Sequence, residues 1–127
     1  MPEAALLLAC SERVAAWRDA WQALDPPRIA SLYAPDGVHE SDKVRKAYPD
    51  NIDGRLHGRE AIARYAERAA LQFSRFEIRV LRVIEDADGA AVEYVRRVNG
   101  DPATDMRVVE ILEWAGNLLR HVRVFHF

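Results

Sequence analysis

Cysteine is almost absent from this chain, with Cys10 alone among 127 residues. No internal disulfide can form, and such usage fits a reducing cytoplasm. Charge of one sign is lacking as well. A formal net charge of −2 argues against nucleic acid as a partner, since its binding requires a concentrated basic face. Arginines far outnumber lysines, yet they are scattered among glutamates, the pattern of a solvated mixed-charge surface rather than of a phosphate site. No apolar run approaches the ~20 residues needed to span a bilayer, so no membrane partner is expected. Leu7-Leu8-Ala9-Cys10 mimics a lipoprotein cleavage box. It lacks a basic n-region, follows Glu3, and sits in an apolar run too short for a signal peptide. The helical period continues through it, so Cys10 is expected as a core thiol.

Recognisable cofactor signatures are missing too. The histidines His39, His57, His121 and His126 include no close i, i+4 pair around a glutamate, so nothing signals a metal site. Glycines never cluster as GxGxxG or as a P-loop, and no serine stands in a GxSxG elbow. Neither a metal nor an organic cofactor is expected.

What is present is ordinary globular composition, half apolar and under a third charged. The length suits one domain over 1–127, able to bury about two-thirds of its unfolded surface. Leu7, Cys10, Val14, Trp17, Trp21 and Leu24 alternate spacings of three and four, which predicts a helix from about Glu3 to Leu24. Asp25 is a natural N-cap, with Pro26 and Pro27 in the first turn of a second, short helix. Ile29, Leu32 and Tyr33 supply its apolar face. Asp36-Gly37 breaks the pattern, and Val38 to Ser41 reads as a first strand. Residues 42–57 show no sustained period. A loop of that length is either a lid or binding loop, with Tyr48 able to close over a ligand, or a plain surface excursion. Ile62, Tyr65, Ala66, Ala69 and Phe73 then mark a third helix.

From Glu77 the period becomes two. Runs at about 77–85, 90–98, 105–114 and 118–126 are separated by turn segments that each hold a glycine with Asn or Asp. These predict an antiparallel meander with helices covering one face, an α+β domain. Several strands are apolar on both sides. Met106, Val108, Leu112 and Trp114 oppose Val109 and Ile111, and in the last strand Val122 and Val124 oppose Leu119 and Phe125. A sheet with one wet face alternates more cleanly. The second face is therefore expected to meet another subunit, giving a homodimer through the sheet.

Three segments resemble a known family in order: Trp17 to Ala34 (WRDAWQALDPPRIASLYA), Leu56 to Tyr65 (LHGREAIARY) and Val83 to Tyr94 (VIEDADGAAVEY). The closing hairpin from Val108 to Phe125 also fits. The chain resembles the SnoaL-like and ketosteroid-isomerase-like branch of the nuclear-transport-factor-two-like superfamily. That resemblance implies a cystatin-like cone: a curved antiparallel sheet wrapped around N-terminal helices, in the order α-α-β-α-β-β-β-β, enclosing a mostly apolar cavity. It implies a small apolar molecule as partner. Members include isomerases, cyclases, dehydratases and hydrolases, along with proteins that only bind or dimerise, so the fold does not name the reaction.

The isomerase branch carries a catalytic aspartate eight positions after the tyrosine of "YA", where this chain has Ser41. Its tyrosine oxyanion donor corresponds to Trp17, and its protonated aspartate to Glu110, a role for which ketosteroid isomerase is the standard example. With Ser41 in place of the base, the chain is not a typical ketosteroid isomerase. Glu110 lies between Val108 and Leu112 on the face that the resemblance turns into the cavity. A desolvated carboxyl there serves as acid, base or donor, or it pairs structurally with Arg96 or Arg123. His39 shares the strand face of Ser41 and is the second catalytic candidate, suited to general-base work. Tyr94, Val122 and His126 complete the expected pocket lining with Trp17, Ser41, Val108 and Leu112. His126, one residue from the C-terminus, is exposed to fraying. Two functions follow. One is a cofactor-independent acid–base enzyme acting on a small hydrophobic metabolite; the other is a non-catalytic ligand-binding or dimerisation module on the same fold.

Overall fold

A computed structural model describes residues 11–127; the expectations for Leu7 and Cys10 lie outside them. The sequence predicts one helix from about Glu3 to Leu24, but the backbone is extended at Ser11, because its side chain caps a new helix there, and the described helix ends at Gln22. Helix α1 (Glu12–Gln22) opens where the Ser11 hydroxyl accepts the Val14 N–H at 3.4 Å. It buries Val14, Trp17, Ala20 and Trp21 as one stripe. Asp25 then caps α2 (Pro26–Ser31), accepting from the Arg28 N–H at 3.2 Å, with proline at its start as the sequence predicts.

Strand β1 (Tyr33–Ser41) is longer than the four residues its pattern suggests. Tyr33 already pairs with the last strand, and the register shifts before Val38, across Asp36-Gly37. The segment after it is not irregular. Helix α3 (Asp42–Ala47) and strand β2 (Arg55–His57) occupy it. A six-residue helix completes fewer than two turns and a three-residue strand one alternation, so neither leaves a readable period. Gly54 closes the return to β1. Its φ is +72°, and a Cβ there would stand 2.9 Å from the Ser41 carbonyl oxygen, so only glycine fits. Helix α4 (Arg59–Gln72) follows, with Ile62 and Ala66 buried.

The meander is present: β3 (Phe76–Glu85), β4 (Gly89–Val98), β5 (Met106–Ala115) and β6 (Leu118–His126), each antiparallel to the next. The six strands form a curved, open sheet in the order β2-β1-β6-β5-β4-β3. It is mixed rather than wholly antiparallel, because β1 runs parallel to β6. These two strands are far apart in sequence, so no hairpin fixes their relative direction.

A second correction concerns β6. Leu119 does not oppose Val122; both are fully buried. The register shifts between Glu113 and Trp114, so that Trp114 faces Leu119 while Leu112 faces Val122. That bulge inserts one extra residue and returns Leu119 to the inner face. The core joins this face to α1, α2 and α4 through Trp17, Ile29, Tyr33, Ile62, Val92 and Leu112. On the opposite face, cross-strand rows carry Ile84, Ala91 and Ile111, and beside them Val109 and Phe125. Among the described residues no helix is long and apolar enough to cross a membrane.

Candidate functional site

The sheet's curvature leaves a cavity of about 560 Å³ between its inner face and helices α3 and α4. That volume suits a small organic molecule. Its floor is made of buried side chains: Trp21 from α1, His39 and Ser41 from β1, Ile78 from β3, Tyr94 from β4 and Glu110 from β5. Exposed Lys46, Arg68 and Gln72 mark its mouth. Phe73, Phe76, Ala69 and Val124 form apolar walls between the two.

Glu110 is 5% exposed, and its Oε2 accepts the Tyr94 hydroxyl proton at 2.5 Å. Strand alternation fixes this pairing. Glu110 sits opposite Val92 on β4, and Tyr94 is two residues further along the same face. No arginine neutralises it. Arg123 lies 3.4 Å from Glu113, and Arg96 reaches the cavity with a buried Nε that has no partner. Burial pushes the Glu110 carboxyl up to about 7, against the Tyr94 hydrogen bond and the nearby Trp17 indole, which favour the charged form. The Trp17 Nε1 makes no hydrogen bond of regular geometry. Burial, and then the Glu110 charge, hold the Tyr94 phenol well above its ordinary value, so it stays protonated.

His39 is 3% exposed and ringed by aromatics: Tyr65 at 5.4 Å, and Trp21 and Tyr33 both at 6.2 Å between ring centroids. The Tyr33 hydroxyl is 2.8 Å from His39 Nδ1. Burial lowers the imidazole to about 4, helped by the positive charge that His126 and His121 carry when protonated. His39 is thus neutral throughout the physiological range. Glu110, by contrast, is made to titrate near neutrality by its burial.

Ser41 reaches the cavity, but its hydroxyl is engaged as the cap of α3, accepting the Lys43 N–H at 3.1 Å. His126 also lines it and is anchored, with Nδ1 2.7 Å from Asp42 Oδ1. That bond ties the end of β6 to α3, where chain-end fraying was expected. Four expected lining residues are elsewhere. Trp17, Val108, Leu112 and Val122 are fully buried in the packed core and do not border the cavity. A two-residue period fixes which face a side chain joins, not how far the hollow extends along it. Here the Trp17 ring packs edge-on against Tyr94, 5.6 Å between centroids, and fills the space beyond.

Tyr48 does not close the cavity; its ring lies 5.2 Å beneath the Arg68 guanidinium, beside α4. Sequence reasoning missed Tyr33 and Tyr65 as partners of His39, and Lys43 and Lys46 as lining. The lysines left one trace, being the only two in an arginine-rich chain and three residues apart. Among the described residues no three His, Cys, Asp or Glu side chains gather to hold a metal ion.

Residues 14–122 match the SnoaL-like domain. Similar solved structures include a SnoaL-like protein of unknown function from Burkholderia thailandensis, 21% identical, covering 89% of each chain with a TM-score of 0.75. Another is a protein of ketosteroid-isomerase-like fold from Catenulispora acidiphila in complex with trimethylamine: 20% identical, TM-score 0.72, over 90% of this chain and 84% of that one. TerC co-crystallised with polyporic acid is 17% identical with a TM-score of 0.73, covering 91% of this chain and 89% of its own. At these identities the likeness is one of fold. Among curated proteins, none matches the chain in sequence.

Proposed function

From its membership of the SnoaL-like family, we propose that this chain binds a small, largely apolar metabolite and catalyses proton transfer on it without metal or organic cofactor. The carrying observation is the cavity of about 560 Å³ with Glu110 and His39 both in its floor. Two solved structures of the same fold hold small molecules, trimethylamine in one and polyporic acid in the other.

Glu110 moves the proton. Near pH 7 its two protonation states are about equally populated, so it gives or takes a proton with little driving-force penalty. Tyr94 holds one carboxyl oxygen in place. Neutral His39, oriented through Nδ1 by Tyr33, offers its remaining ring nitrogen as a hydrogen-bond partner to a substrate oxygen. Isomerisation, cyclisation, dehydration and hydration all fit this apparatus.

A second reading is a binding module that keeps the cavity without the chemistry. Ser41 favours it, because the position where the resembling isomerases carry their base is here a helix cap. Native mass spectrometry of the purified protein tests both by seeking a co-purifying small molecule. Turnover of that molecule by wild type but not by Glu110→Gln supports the enzyme. Turnover that survives Glu110→Gln combined with His39→Ala removes it. A tightly held molecule left unchanged by wild type supports the module. The outer sheet face, with Ile111, Val109 and Phe125, is proposed as a homodimer interface, and the reducing cytoplasm as the compartment.

A further inference from the structure

The chain has only two lysines, and both stand at the cavity. Lys43 and Lys46 are one turn apart on α3; Arg68 from α4 and Arg96 from β4 line the same cavity. Three elements separated in sequence thus bring four cations together in a chain whose net charge is −2. Elsewhere many of the arginines pair with a carboxylate. Arg64 pairs with Glu60 at 2.8 Å, Arg97 with Asp105 at 2.8 Å and Arg55 with Glu40 at 3.1 Å. Among the described residues none of the four cavity cations makes an ion pair with a carboxylate.

The acid nearest in sequence, Asp42, is held by His126 at 2.7 Å. Glu110 is the one other acid among the cavity's described walls, and Tyr94 engages it at the floor. Arg96 keeps a buried Nε donor with no acceptor. Burial, followed by the neighbouring Lys46 charge, holds the Lys43 ammonium below its ordinary value. Asp42 offsets part of the Lys43 and Lys46 charge, but four cations outnumber it, and an anion arriving among them relieves their remaining repulsion. A buried donor left without an acceptor is similarly relieved by one.

Resting on the reading of this cavity as a ligand site, we infer that its ligand is an apolar anion. A ring system or alkyl body lies along Phe73, Phe76 and Val124, and a carboxylate or sulfonate meets Lys43, Lys46 and Arg96. The anionic end lies toward the mouth, so the far end of the body meets Tyr94 and Glu110. The site therefore selects for charge at one end and for a hydrogen-bonding oxygen at the other, a demand that a neutral hydrocarbon does not meet.

The test compares two fluorescent probes with one body. 1-Anilinonaphthalene-8-sulfonate carries a sulfonate, and N-phenyl-1-naphthylamine is the same skeleton without it. Titrated at low ionic strength, the sulfonate is expected to bind about tenfold more tightly. That advantage shrinks at roughly 1 M salt, where the Debye length is about 3 Å. It also disappears in the combined Lys43→Gln, Lys46→Gln, Arg96→Gln variant, while the neutral probe binds that variant as it binds wild type. Equal affinity of the two probes for wild type overturns the inference and leaves the cavity reading standing. So does a sulfonate advantage that the triple variant retains. Failure of both probes to bind removes the cavity reading and this inference with it.

Discussion

Tyr94 donates its phenolic proton to Glu110 Oε2 at 2.5 Å, and both side chains are at most 5% exposed. Across the same cavity His39 stays neutral against Tyr33. Burial thus moves an acid and a base in opposite directions within one hollow, and stability should report both.

The Glu110 carboxyl binds its proton more tightly in the folded chain, with a pKa near 7 against an ordinary 4.5. Its contribution is therefore full below about 4.5 and is lost as pH rises through about 7. Glu110→Gln, whose amide still accepts from Tyr94, should be more stable than wild type at pH 8 by on the order of 3 kcal/mol, and similar to it at pH 4.5. Urea unfolding at several pH values measures this; a difference independent of pH would show that the carboxyl is not desolvated.

His39 has the opposite sign. Its folded value near 4 lies below the ordinary 6.5, so its contribution is present above 6.5 and lost as pH falls through about 4. In Glu110→Gln, stability should therefore climb between those limits, with no opposing slope. The imidazole carbon-bound protons, followed by NMR, should show His39 uncharged at pH 5.5. A midpoint near 6.5 would contradict the buried, aromatic-ringed geometry.

Tyr33→Phe removes the hydroxyl that lies against His39 Nδ1 and leaves that nitrogen buried without it. A loss of about 1–3 kcal/mol is expected. The nitrogen-15 shifts of the ring should change with it, since the Tyr33 bond selects the tautomer. Unchanged stability together with unchanged shifts would mean that the two groups do not interact in solution.

Ile111 sits on the outer sheet face between Ala91 and Arg123, next to the row of Val109 and Phe125, and Phe125 is 49% exposed. Ile111→Lys places a charge at the centre of the proposed interface, beside the like charge of its cross-strand partner Arg123. Light scattering should report twice the chain mass for wild type and a single chain mass for the variant, with circular dichroism unchanged. A wild type that stays monomeric at every concentration would dispose of the dimer.

Much of the fold was readable because it repeats. The alternation from Glu77 to His126 located all four meander strands within a residue or two, and Asp25 shows a helix start set by local capping chemistry. Short elements stayed hidden. Helix α3 and strand β2 carry too few residues for any period, and the bulge that returns Leu119 to the core breaks the alternation it interrupts. The candidate site followed the same division. The family resemblance turned Glu110 and His39 inward and Tyr94 was expected in the lining, but Tyr33 could not be distinguished from the apolar face of a helix.

Sequence alone determined the two-residue period of the meander strands and where the chain turns between them, since each depends on neighbours a few residues away; that an acid and an imidazole face an interior was implied by the family resemblance. Tertiary structure decided how deep the hollow runs, that Trp17 and Val108 fill solid core while Tyr65 and Phe73 border open space, and that both lysines arrive at its mouth. Those outcomes depend on sheet curvature and on the approach of α3 and α4. Desolvation is likewise a property of everything packed around a group, so no local pattern could state the proton affinities of Glu110 and His39.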